Sequence, residues 1–445
     1  MRYCAVWMVP LGLAIAGLTS AGARAMEPAR EEIHFFDALS QVGQTPQVQS
    51  TAAALSVKRA QDQQISRLTN NPQLGLQLGY RRELEVSGLE AQLTVQQGMS
   101  LGSYSQSRRR AAGAEEVQMQ SELSSVRLVR ELRAGRAWLR LWGTMQQLHA
   151  AEHEVELAQK LSERTARAVQ VGAMTMADRS EAESYQAEAE LALLTLEGEA
   201  FEQGMELSRS LGRSDGVPLR PAGVLPEIAL PELTENWHRE LIAVADQLPS
   251  VREQVNGVVA ERARDEELRA HRSGALYLGA QLAKEPSVPY SIVGTLSVQA
   301  PFFDRGQRER AELLALVERR QGAASEALLE ARAAMALALH EVGHTEQIVR
   351  KLTDVAVPAM ERTLKLRERL LSSGEGTVLE ALLSRRAVFA LRGRLGRAQA
   401  DHVNSRFVLS RLLRELSPQL TKTASSSSEP REQTKLLGSK EGGSK

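Results

Sequence analysis

The sequence predicts a mainly α-helical chain with a small β part, built from one unit that occurs twice. Local blocks recur about 203 residues apart. Arg59-Ala60-x-Asp62 returns as Arg262-Ala263-x-Asp265, and Leu93-x-Val95-Gln96 as Leu296-x-Val298-Gln299. Gly172-x-x-Thr175-x-x-Asp178 returns as Gly374-x-x-Thr377-x-x-Glu380. Each half also carries a very long stretch almost free of helix breakers, and two short runs of strict apolar–polar alternation. A duplication of this extent fixes the architecture before any local element is assigned.

At the N-terminus, Arg2 precedes an apolar run from Val6 to Leu18, and Ala23-Arg24-Ala25 forms a small-x-small cleavage site. Residues 1–25 therefore read as a secretory signal. Removing Arg2 and Arg24 takes the formal charge from 0 to −2, so no nucleic acid or other polyanion is implied as partner. The only cysteine, Cys4, leaves with the signal, and the mature chain has neither disulfide nor thiol chemistry. The rest divides into a first repeat over 26–212, a connecting equatorial segment over 213–248, a second repeat over 249–416 and a disordered tail over 417–445. The tail is rich in Ser, then in Lys and Gly, and cannot bury a core.

The long helix of the first repeat is expected over about 107–170, where there is no proline. As one helix it would be about 96 Å long. Its counterpart is expected over about 306–372, with Pro358 as the one interior breaker and a local kink there. Such helices need partners along their whole length. Ala327, Ala331, Ala334 and Ala338 form a 4-3-4 seam of small residues suited to close approach. Shorter helical segments, Pro46–Thr69 with Thr175–Leu211 and Pro249–Arg272 with Thr377–Leu416, match one long helix when stacked end to end.

The strands are expected over about 74–98 and 275–300. Leu89, Ala91, Leu93 and Val95 alternate with Glu90, Gln92, Thr94 and Gln96, and Leu276, Leu278, Ala280 and Leu282 share one face. No later stretch reaches the roughly 18 apolar residues of a spanning helix. If the chain enters a membrane, it does so with strands. Runs of about 10 residues with one apolar and one polar face fit the wall of a barrel, although a half-buried soluble sheet has the same pattern. Four strands cannot close around a lumen, so several chains would have to contribute.

This order of elements resembles the TolC-like outer-membrane efflux proteins, over roughly residues 31–416. The matching motifs are Asn71-Pro72-x-Leu74, Val171-Gly172-Ala173-Met174-Thr175-Met176-Ala177-Asp178, and the second turn from Gly374 to Glu380. Pro301-Phe302-Phe303-Asp304-Arg305-Gly306-Gln307 resembles the CzcC-type cation-efflux branch. The resemblance implies a homotrimer in the outer membrane of a Gram-negative bacterium. Twelve strands would form one barrel, continued by an α-helical barrel reaching far into the periplasm. Its partners would be a periplasmic adaptor and an inner-membrane pump of the RND type. The cargo would be metal cations, with drugs or other small molecules as the alternative. No enzymatic activity and no cofactor are implied.

Glycine at 172 and 374 suits the reversal of a helix, and Thr175 and Asp178 fit the cap and first turn of the returning one. The resemblance gives the adaptor-binding role to the tips, at Val171, Gly172, Thr175, Gly374 and Thr377. The second tip departs from the pattern, because Ser373-Gly374-Glu375-Gly376 lacks the preceding valine. Asp178 and Glu380 are candidates for a carboxylate ring at the periplasmic aperture, with plain helix capping as the alternative.

One motif points elsewhere. His340-Glu341-Val342-Gly343-His344 fits the H-E-x-x-H pattern of zinc proteases, in which two imidazoles one turn apart bind the metal and the glutamate activates water. A catalytic site needs a third protein ligand, for which Glu361 is the nearest candidate by spacing. The repeat, however, sets Trp138 and Trp142 opposite His340 and His344 at an offset of 202. The expected role of all four is therefore packing. His149 and His153 form a second such pair, and Arg108-Arg109-Arg110 a basic run, both expected on a solvated face.

Overall fold

The computed structural model describes residues 31–65, 71–82, 87–100, 102–231, 237–271, 274–286, 290–299 and 306–427. The signal segment, Pro301–Arg305 of the cation-efflux motif and residues 428–445 lie outside them. The first repeat runs β1 (Glu32–His34), α1 (Phe35–Gln41), α2 (Pro46–Asp62), β2 (Gln73–Arg82), β3 (Ser87–Ser100), α3 (Tyr104–Gln170) and α4 (Met176–Ser210). The connecting segment holds β4 (Arg220–Ala222) and α5 (Trp237–Ala243). The second repeat runs α6 (Pro249–His271), β5 (Ala275–Lys284), β6 (Ser291–Gln299), α7 (Gln307–Lys351), α8 (Val357–Ser373) and α9 (Val378–Ser427).

Helix α3 is 67 residues long, about 100 Å at 1.5 Å per residue. It lies against α4 on one side and α9 on the other, with α2 and α6 beside its first part. The end of α4 abuts the start of α2: a Cβ on Gly212 would stand 2.7 Å from Pro46 Cδ. The two shorter helices thus form one column, as their lengths required. The second long helix is interrupted. Residues Leu352–Ala356 form a π-helical turn between α7 and α8. Pro358 explains it, since its ring crowds the carbonyl four residues back and supplies no N–H. The wider turn moves the carbonyl of Asp354 away, and the helix continues.

Three expectations need correction. The buried seam of α7 is Ala331, Met335, Ala338, Val342 and Thr345, while Ala334 faces outward. The 4-3 spacing is kept, but it runs through Met335. Helix α9 continues to Ser427, past the expected start of the tail. Helix α2 ends at Asp62, short of Thr69.

The strands form one antiparallel sheet in the order β2-β3-β5-β6. Its register puts Leu76, Leu93, Leu282 and Ile292 side by side in one row. These apolar side chains are exposed, from 42% at Leu282 to 80% at Ile292. The opposite face is the shielded one on β3, where Gln92, Thr94 and Gln96 are half-buried. This reverses the polarity of a soluble sheet, which buries its apolar face.

The main core gathers where the first repeat meets the connecting segment. Trp138 is fully buried and donates its indole N–H to the Ile33 carbonyl at 2.8 Å. Phe35 stands edge-on to Trp138 at 5.4 Å and to Phe407 at 5.2 Å. Gly135 makes room for this cluster, because a Cβ there would lie 2.2 Å from the Phe407 ring. The parallel pair β1·β4 ties the N-terminal segment to the connecting segment. It was not foreseen, since strands of three residues carry no readable alternation.

Candidate functional site

The two helical reversals lie together at one end of the molecule. Met174 of the first packs with Val378, Leu382 and Leu371 of the second, over Val155, Ala158, Tyr185 and Ala189. Ion pairs cross between the hairpins and within the second: Arg386 with Glu188 at 2.7 Å, and Arg385 with Glu368 at 2.5 Å.

In the first tip, Gly172 takes φ +76°, a left-handed conformation that costs other residues about 1–2 kcal/mol. The Gly172 N–H donates to Val169 at 3.0 Å and the Ala173 N–H to Ala168 at 2.8 Å. These bonds satisfy the last carbonyls of α3 as a Schellman motif. The next helix opens with a reciprocal capping box. Thr175 accepts from the Asp178 N–H at 3.2 Å, and Asp178 accepts from the Thr175 N–H at 2.8 Å and from its hydroxyl at 2.7 Å. Those bonds from Thr175 hold the Asp178 carboxyl below its ordinary range. A depressed folded-state value stabilises the fold above the unfolded-state pKa, and the contribution is lost as pH falls through the folded one. The box is therefore at full strength above about pH 4 and fades below it. Thr175→Ala is expected to cost about 1 kcal/mol, read as a lower denaturation midpoint at pH 7 with a smaller difference at pH 3.

The second tip repeats the turn and varies the charges. Gly374 takes φ +79°, and its N–H and that of Glu375 donate to Leu371 and Leu370 at 3.2 and 3.0 Å. Thr377 caps the Glu380 N–H at 3.3 Å. The Glu380 carboxylate, however, accepts from Arg367 at 2.7 Å. Val171 is 80% exposed at the first tip and has no counterpart at the second. The two tips thus present different surfaces built on one backbone device.

Within the single chain, the histidine pair is not covered as the two indoles are. Trp138 is buried, and Trp142 donates to the Gly223 carbonyl at 3.2 Å. His340 and His344 are both exposed, their rings stacked at 5.6 Å with 13° between planes. The N-terminal segment that covers Trp138 has no counterpart over the imidazoles among the described residues. Glu361, the candidate third ligand, accepts instead from Arg392 at 2.6 Å. No group of three metal-ligating side chains is assembled within the described residues of one chain. His149 pairs with Glu152 at 3.1 Å on an exposed face, and Arg109 of the basic run donates to the Ile65 carbonyl at 3.3 Å.

Among the described residues, no helix is long and apolar enough to cross a membrane. No protein-family model matches the sequence, and no curated protein does. Solved structures match the fold. The outer membrane protein VceC from Vibrio cholerae aligns with a TM-score of 0.70 at 14% identity, over 86% of this chain and 95% of that one. A membrane protein from Pseudomonas aeruginosa gives 0.69 at 17% identity, over 86% and 91%. CusC, described for its folding and transmembrane channel formation, gives 0.69 at 16% identity, over 86% and 92%. The chain therefore has the fold of the TolC-family outer-membrane channels.

Proposed function

We propose that this protein is the outer-membrane duct of a tripartite export system. The observation that carries the reading is the inverted sheet, whose exposed row of Leu76, Leu93, Leu282 and Ile292 suits lipid and not water. The sheet also ends in two open edges, β2 and β6. Strand direction alternates across it, so β6 of one copy would meet β2 of the next antiparallel. Repetition of one such head-to-tail contact closes a ring. Three copies would supply twelve strands and a continuous wall, with the long helices extending the passage into the periplasm.

The tips are the proposed docking end for a periplasmic adaptor, with Val171, Gly172 and Thr175 in the first and Gly374 and Thr377 in the second. An RND-type inner-membrane pump would supply the driving force. Asp178 and Glu380 would stand near the aperture, Asp178 committed to its cap and Glu380 to Arg367. The chain itself needs no catalytic step. Glu341→Ala is therefore expected to leave export unchanged, whereas loss of all activity in that variant would favour hydrolysis. The proposed cargo is metal cations, on the resemblance of Pro301–Gln307 alone. Deleting the gene is then expected to lower metal tolerance. Unchanged metal tolerance with new sensitivity to organic drugs would move the cargo to that class.

A further inference from the structure

Four helices stand side by side in the order α4, α3, α9, α7. The N-terminal and connecting segments cover one face of this layer at mid-height. Trp138 and Trp142 on α3 donate to the Ile33 and Gly223 carbonyls. Gly204 on α4 lies against Leu219, Arg406 on α9 donates to the Ile228 carbonyl at 2.9 Å, and Leu339 on α7 shares a cluster with Leu241 of α5. At 3.6 residues per turn, a position two or nine residues from such an anchor lies on the other side of its helix. Arg136 and Arg140 are each two residues from Trp138, Glu206 two from Gly204, Arg397 nine from Arg406, and Ile348 nine from Leu339. These residues line two clefts on the uncovered face. The cleft between α3 and α4, about 480 Å³, holds Arg133, Arg136 and Arg140 with Glu206. The cleft between α9 and α7, about 550 Å³, holds Arg394, Arg397 and Lys351 with Asp401.

The charges in these clefts do not balance. Glu206 is shared by Arg133 and Arg209. Among the described residues, no hydrogen bond or ion pair engages Arg136, Arg140, Arg394 or Arg397. Arg140 and Arg397 only flank Asp401 at longer range, with Glu341 as the other carboxylate near it. Partial burial, and then the charge of Arg140, holds the Arg136 guanidinium below its ordinary range. The six cations of the two clefts thus face Glu206, Asp401 and Glu341 alone, an excess of three positive charges per chain. The covered face cannot look into the proposed passage without filling it with the connecting segment, so the uncovered face lines the passage. Arg136 lies 32 residues along α3 from Tyr104, about 48 Å and close to its middle. We propose that Arg136, Arg140, Arg394 and Arg397 form a cationic belt at mid-height on the inner wall of the duct, and that this belt selects anionic cargo. The belt presupposes the duct proposed above. Rings of arginine or lysine give pores a preference for anions, and clefts lined by one sign of charge concentrate the opposite ion. A bare divalent metal ion is disfavoured at this level and would cross it more readily as an anionic complex.

The test is the reversal potential of the full-length channel in a planar bilayer, across a potassium chloride gradient near 0.1 M, where charge is screened over about 10 Å. Arg136→Gln with Arg140→Gln and Arg397→Gln is expected to lower the permeability ratio of chloride to potassium by about twofold or more. The effect should shrink in about 1 M salt. Arg140→Gln alone changes one exposed side chain, and it should move the ratio the same way by a smaller step even if the triple variant does not assemble. Arg239→Gln removes the same charge from an exposed position on α5, on the covered side, and should leave the ratio unchanged. Intact conductance with a ratio that no substitution moves overturns the belt and leaves the duct standing. A shift from Arg239→Gln as large as that from the belt variants overturns the placement of the clefts inside the passage. Absence of channels in the unsubstituted protein overturns the duct itself.

Discussion

Trp138→Ala is expected to destabilise the protein by about 3–5 kcal/mol, the range for removing a large buried aromatic side chain. Trp138 is fully buried, and it does more than fill space. Its indole N–H holds the Ile33 carbonyl, and its ring supports Phe35, which also stands edge-on to Phe407 of α9. Truncation would leave a cavity and a buried carbonyl without its donor. It would release the N-terminal segment, and with it the pairing of β1 with β4. Denaturation in detergent should show a much lower midpoint. Limited proteolysis should cut early in residues 31–44. Trp138→Phe keeps most of the packing and loses only the hydrogen bond, so it should cost about 1–2 kcal/mol.

Leu93→Arg is expected to keep the protein out of the outer membrane or to weaken its insertion by about 2–4 kcal/mol, the range for arginine on the lipid face near the bilayer midplane. Leu93 occupies the apolar row with Leu76, Leu282 and Ile292. Thr94→Arg, one residue on and therefore on the opposite face, should insert normally and alter only ion selectivity. The contrast between neighbouring residues is the informative part. A soluble helical scaffold would gain solubility from Leu93→Arg and would not distinguish the two. Outer-membrane yield of each variant, read against unsubstituted protein, separates the cases.

Much of the fold was legible because its signals are long. Strict alternation along β3 and β5 and the proline-free run that becomes α3 are periodic over many residues. The glycine and threonine of each tip are tied to one backbone geometry, so Gly172 and Gly374 marked both reversals. Pro358 marked the break in the second long helix but not its form, because sequence does not say whether a helix kinks or widens into a π turn. The pair β1·β4 was illegible: its hydrogen bonds join residues about 190 apart in the chain, and neither strand carries a pattern. The histidines show a different limit. The repeat offset sets His340 and His344 opposite Trp138 and Trp142, but within the chain the two pairs differ in burial. Burial depends on what covers the position: Ile33 and Phe35 cover Trp138, while α5 packs on α7 beside Met335 and Leu339. The charge state of the second tip was hidden for a similar reason, since Arg367 reaches Glu380 only once the hairpin has closed.

The most direct test of the central claim is single-channel conductance of the protein, purified from outer membranes and reconstituted in a planar bilayer. The proposed duct predicts discrete, long-lived conductance steps. Removing the tie on Glu380 with Arg367→Ala should shift their size or cation preference if the second tip lies at the constriction. Absence of conductance, with the mature protein recovered soluble from the periplasm without detergent, would contradict the duct.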